Sequence, residues 1–222
     1  MSTPTSPSDT SPTSSGPSHS GPTEGLAAPA RPVTGSSERS AVPARAVRPS
    51  SIANVVLVGL SGSGKSTVAR LLARRLGWTY IDTDRQIQAQ TGLTVQQIFA
   101  ERGETEFRAL EAAMVREVCA RARQIIATGG GMFVDEGNRA GLLDGNLVIY
   151  LESSPEVLAR RLAESVRREP RPLLADTDLV ARLAELRGQR EHFYRCAHHV
   201  VRTDRRTPRE VADVVADLIR KA

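Results

Sequence analysis

Gly59-Leu60-Ser61-Gly62-Ser63-Gly64-Lys65-Ser66 places glycines, a lysine and a hydroxyl at the spacing G-x-x-x-x-G-K-S/T. That spacing suits the capture of a polyphosphate. Glycines let the backbone curl until several N–H groups converge on phosphate oxygens, and a helix that follows adds the favourable end of its dipole. Gly62, Ser63, Gly64, Lys65, Ser66 and Thr67 are therefore candidate ATP contacts. Lys65 would neutralise the β- and γ-phosphates, and the Ser66 hydroxyl would ligate Mg²⁺. Lys65 and Lys221 are the only lysines of the chain, and one of them falls where such a loop needs it. A plain Gly/Ser turn is the competing reading.

Further along, Asp82-Thr83-Asp84 pairs two carboxylates at i, i+2. Asp82 could approach Mg²⁺ through water, and Asp84 could reach a substrate hydroxyl. The bland alternative has Asp84 capping the next helix. On a helix, Arg108 and Glu111 are i, i+3 neighbours. Glu111 would hold the guanidinium while its free edge binds a carboxylate; a surface ion pair is the alternative. Gly129-Gly130-Gly131 offers backbone that a ligand could approach closely, or a tight turn. Arg171 lies in an Arg/Glu/Pro-rich stretch that reads as a mobile flap or a solvated loop.

Short apolar runs alternate with longer periodic stretches from Ala53 onward. Residues 54–59, 79–82, 124–128, 147–151 and 199–202 read as strands. Helical patterns cover residues 65–76, 94–122 with a break at Gly103, 138–143, 155–167, 178–194 and 208–221. Ser154 and Thr207 are good caps, each followed by a proline suited to a first turn. Such alternation predicts an α/β fold in three layers: a central parallel sheet of about five strands with helices on both faces. In such sheets ligands gather beyond the C-terminal strand ends, where the phosphate loop and both aspartates fall.

Of 222 residues, roughly the first fifty are dense in Ser, Thr, Pro and Gly and lack aromatics. They are expected to form a disordered extension over residues 1–52, leaving one domain over 53–222. The segment has no apolar core of signal-peptide length. A plastid transit peptide is the minor alternative to a flexible extension of a cytoplasmic protein. The net charge of +5 comes almost wholly from dispersed arginine, and aromatics are 4% of residues. Stacking platforms for single-stranded nucleic acid are not expected. No stretch reaches the apolar length of a membrane span. Cys119 and Cys196 read as reduced thiols, without metal-ligand spacing. A monomer is expected.

Taken in order, the phosphate loop, Asp82-Thr83-Asp84, Gly103-Glu104-Thr105-Glu106-Phe107-Arg108 with Glu111, Thr128 and the glycine run, Arg171-Pro172-Leu173-Leu174, Arg190 ahead of Tyr194, and Arg205-Arg206-Thr207-Pro208 resemble the shikimate kinase family. The resemblance covers nearly all of residues 54–221 and implies a P-loop kinase fold with a mobile lid. It implies Mg²⁺-dependent transfer of the γ-phosphate of ATP to the 3-hydroxyl of shikimate. By it, Arg108 and Arg190 clamp the shikimate carboxylate, and Asp84 binds ring hydroxyls and assists deprotonation. Gly130 and Gly131 contact the ring through backbone, and Phe99 and Phe107 wall the pocket. Arg171 swings in on the lid, with Lys65 and Asp84 completing the catalytic set, while Arg206 and Pro208 lie along the adenine.

This chain departs from the family pattern in places. Glu164 stands where many relatives stack an arginine on adenine, and Arg167 or Arg168 is expected to substitute. Ser61 stands where relatives often have a larger residue. His198 and His199 match nothing catalytic and read as partner-free surface or packing residues, and Trp78 reads as packing rather than a ligand contact. A kinase for another polar acceptor such as gluconate would not need Arg108, Arg190 and the glycine run together. A non-catalytic binding module would not need Lys65, Asp84, Arg108, Arg171 and Arg190 all retained.

Overall fold

The computed structural model describes residues 52–168 and 179–222. The expected N-terminal extension, apart from Ile52, and the flap carrying Arg171 lie outside them. So do the side chains of Arg167 and Arg168. In chain order the elements are β1 (Asn54–Val58), α1 (Lys65–Leu76), β2 (Thr79–Asp82), α2 (Thr83–Thr91), α3 (Val95–Cys119), β3 (Gln124–Ala127), α4 (Glu136–Leu143), β4 (Leu147–Glu152), α5 (Pro155–Arg168), α6 (Leu179–Tyr194), β5 (His199–Arg202) and α7 (Pro208–Lys221).

All strand pairs are parallel, in the order β2-β3-β1-β4-β5. The central strand β1 is buried along its whole length, which is why it reads as an unbroken apolar run. Its side chains alternate between two layers. Val55 and Leu57 pack with Val68, Leu72, Val211 and Val215 on the α1/α7 side. Val56 and Val58 face Ile87, Ile98, Met114, Phe133 and Leu158 on the other. Each of these fully buried side chains contributes roughly 1.5–3 kcal/mol relative to exposure, so the sheet is held from both faces. Ile52 and Trp78 pack against the α1/α7 layer.

The base of the sheet, opposite the phosphate loop, is tied by a buried amide. Asn54 Nδ2 donates to Arg121 O at 2.8 Å and to Asn146 Oδ1 at 2.9 Å. Its Oδ1 accepts from Gln124 N at 3.0 Å. Because every polar atom of this side chain has a partner, its burial is tolerated.

The strand boundaries follow the sequence pattern closely, but one helix does not. α2 has only Thr83 and Ile87 buried, too thin an apolar stripe to show as a helical period. Asp82 starts it by accepting from Arg85 N at 3.3 Å, so the cap is Asp82 and Asp84 lies within the first turn. Gly103 breaks α3 as expected, at φ 81° and ψ 172°. Thr207 caps α7 in a reciprocal box with Glu210. His198 is not partner-free: its Nδ1 accepts from Val148 N at 3.0 Å and its own N–H donates to Val148 O. It thereby extends the β4–β5 pairing by one residue, and burial lowers its pKa.

Candidate active site

The loop between β1 and α1 curls through three left-handed glycines: Gly59 at φ 136°, Gly62 at 85° and Gly64 at 96°. A Cβ on Gly59 would lie 2.7 Å from Leu151 O, so the first glycine is also required by the adjacent β4. Gly64 is the N-cap of α1 and no side chain caps that helix. Its first N–H groups are therefore left to an anion. Ser63 Oγ is buried with no hydrogen-bond partner. A glycine cradle, an uncapped helix start and an orphaned hydroxyl together fit polyphosphate.

Lys65 is buried, and its Nζ donates to Gly59 O at 2.8 Å and Leu60 O at 2.9 Å. Burial lowers its pKa to about 8, against the opposing pull of Asp84 and Asp82. Ser66 Oγ donates to Asp82 Oδ2 at 2.8 Å, which also accepts from Tyr80 OH at 2.9 Å. These two oxygen groups suit Mg²⁺, which typically takes one or two protein ligands and completes its octahedron with phosphate and water. Among the described residues no group of three or more His, Cys, Asp or Glu forms a cage for a metal.

Asp84 sits beside this loop. Its Oδ1 is buried without a partner, and burial, then Asp82, push its carboxyl above the usual range while Lys65 pulls it down. Gly129 lies directly against it: a Cβ there would collide with Asp84 Oδ1. Thr83 Oγ1 accepts from Gly129 N at 2.9 Å, clipping β2's end to the glycine run.

Arg108 reaches the same run from α3, where a Cβ on Gly131 would lie 2.8 Å from its Nη1. Glu111 takes Nη1 at 2.6 Å, as its spacing suggested. The other edge is engaged too: Glu104 Oε1 accepts from Nε at 3.2 Å and Nη2 at 2.9 Å. Phe99 and Phe107 stand nearby with ring centroids 4.7 Å apart, Phe107 buried and Phe99 exposed. From α6, Arg190 Nη1 donates to Gly130 O at 3.2 Å, and Tyr194 OH donates to the same carbonyl.

The glycine run is thus the meeting point of three arms. Asp84 meets Gly129, Arg190 and Tyr194 meet Gly130, and Arg108 meets Gly131. Close approach of protein side chains explains Gly129 and Gly131, whereas a Cβ on Gly130 would meet nothing nearer than 3.7 Å.

Arg206 Nη1 donates to Arg202 O at 2.6 Å. It lines a cleft of about 430 Å³ along the β5 edge with Arg195, His199 and Arg202. Chemistry rather than cavity size places the candidate site at the phosphate loop. Pro208 begins α7, and Glu164 is exposed on α5. Sequence reasoning missed the contact of Gly129 with Asp84, and the roles of Glu104 and the Tyr194 hydroxyl. The last two were legible as i, i+4 partners of Arg108 and Arg190.

Comparison with known proteins shows the family. Residues 61–220 match the family model described as shikimate kinase. A shikimate kinase of Symbiobacterium thermophilum is 46% identical over 169 residues, 76% of this chain and 95% of that protein. One from Geobacter metallireducens is 42% identical, covering 77% and 92%. Among solved structures, shikimate kinase from Acinetobacter baumannii in complex with shikimate aligns with a TM-score of 0.69 at 35% identity, over 76% of this chain and 93% of that one.

Proposed function

Because this chain belongs to the shikimate kinase family, we propose that it transfers the γ-phosphate of ATP to the 3-hydroxyl of shikimate, giving shikimate 3-phosphate and ADP. The observation that carries the acceptor is the convergence of Asp84, Arg108 and Arg190 on Gly129–Gly131 beside the buried Lys65. The Acinetobacter baumannii relative was solved with shikimate bound, which supports the same acceptor here.

Phosphoryl transfer asks mainly for positioning and for charge neutralisation. The backbone from Gly62 to Thr67 cradles the phosphates, and Lys65 turns from its own loop carbonyls to the β- and γ-oxygens. Ser66, and Asp82 through water, would hold Mg²⁺, which would supply neutralisation of the phosphate charge. Arg108 and Arg190 orient the acceptor by its carboxylate, both permanently charged at any working pH. Asp84, as a carboxylate made more basic by burial, takes the hydroxyl proton as the bond to phosphorus forms and the bond to the ADP oxygen breaks. Gly130 and Gly131 present backbone to the ring, and Phe99 and Phe107 form its wall. Arg171 is read as the lid residue that meets the transferring group, and Arg206 and Pro208 as the adenine contacts.

The same reading makes residues 53–222 the catalytic domain of a cytoplasmic monomer. One chain supplies every group named above, and both cysteines are free thiols. Product identity is the test. Phosphorus NMR of the reaction should reveal one new phosphate monoester coupled to the proton on C3 of the ring. Coupling to another ring proton would reassign the orientation set by Arg108 and Arg190.

A further inference from the structure

Arg108 is read above as a carboxylate clamp, yet it already holds two carboxylates of its own chain. Glu111 is almost fully buried, at 1% side-chain exposure, and takes Nη1. Nη1 is also pressed against Gly131. The complete fork left to an incoming carboxylate is Nε with Nη2, and Glu104 stands on it with a single oxygen.

The two partners differ in how readily they leave. Glu104 is 66% exposed and follows Gly103, where the helical backbone breaks. An exposed i, i+4 pair of this kind shifts an equilibrium by only about two- to five-fold. A ligand that offers both carboxylate oxygens to the fork would make two charge-assisted bonds to different atoms, against the one oxygen it displaces.

We propose that Glu104 is a specificity-determining placeholder: it occupies the Nε/Nη2 edge of Arg108 until the substrate's carboxylate displaces it. The inference rests on the proposed role of Arg108. Its consequence is discrimination. A ring polyol without a carboxylate meets an Arg108 already neutralised on both sides and gains nothing there, whereas an acid exchanges a weak internal partner for a better one. Glu111 keeps the guanidinium in place throughout the exchange.

The test uses the full chain and titration calorimetry with shikimate, comparing wild type with Glu104→Gln, Glu106→Gln and Arg108→Lys. Glu106 is exposed on the same helix and makes the same change in charge two residues away. In Glu104→Gln the Kd for shikimate should fall about two- to five-fold, with a matching fall in KM for shikimate and none in KM for ATP. Glu106→Gln should leave all three as they are. An unchanged Kd in Glu104→Gln would overturn the placeholder. A raised Kd would also overturn it, making Glu104 an orienting partner instead. An equal fall in Glu106→Gln would reduce the effect to bulk charge. Arg108→Lys separates the two readings: if it leaves the Kd unchanged, the carboxylate clamp itself is wrong, whatever Glu104 does.

Discussion

At the scale of single residues, charge held out of water governs the site. Lys65 has a pKa lowered to about 8 by burial, so between about 8 and 10.5 the folded chain without ligand binds fewer protons than the unfolded one. This group alone then makes stability rise with pH across that window. Bound phosphates should restore the proton, so KM for ATP should climb above about pH 8; a flat profile to pH 9.5 would contradict the assignment. Lys65→Ala should cost at least about 10²–10³ in kcat while the fold survives, by analogy with losing one transition-state donor. Asp84 is displaced the other way, so the acid limb of kcat/KM should lie above the ordinary carboxylate range. Asp84→Asn should lower kcat by about 10²–10⁴. Its Tm at neutral pH should be no lower than wild type, because the ionised form is the one burial penalises. Arg108→Lys should raise KM for shikimate about ten- to a hundred-fold, since an ammonium cannot fill a fork.

At the scale of elements, the sheet carries the site and its base is where stability is most exposed to mutation. Asn54→Leu would leave Gln124 N without its side-chain acceptor and Asn146 Oδ1 without a donor. Each orphaned buried group costs about 1–3 kcal/mol, so Tm should fall by several degrees in a thermal melt, and an unchanged Tm would refute the network. Around Glu152, the carboxylate is reached by Arg187, Arg195 and Arg202. Two of these come from the α6 end of the chain and fix the helix that presents Arg190 and Tyr194. What the sequence revealed at this scale follows from period and cap. β1 and β4 were readable because burial on both faces makes them continuous apolar runs, and α7 because Thr207, Pro208 and Glu210 mark its start. α2 was hidden because one isoleucine carries most of its buried face. The partners of Gly129 were hidden because close approach to Thr83 and Asp84, some 46 residues back in the chain, leaves no local signal.

At the scale of the whole molecule, residues 53–222 should suffice for the chemistry. Deleting residues 1–50 should leave kcat intact, and a large loss would bring that segment into the site or an interface. No helix among the described residues is long and apolar enough to cross a membrane. The arginine clamp, the aspartate and the phosphate loop were legible as an ordered set of motifs. Their meeting at three consecutive glycines was not, because it depends on how β2, α3 and α6 pack around β3. The acceptor is decided by ADP release with Mg²⁺ and ATP, using shikimate, gluconate or no acceptor, with Lys65→Ala as control. Release should depend on shikimate and be lost in the variant. Release with gluconate alone, or none with any acceptor, would contradict the proposed function.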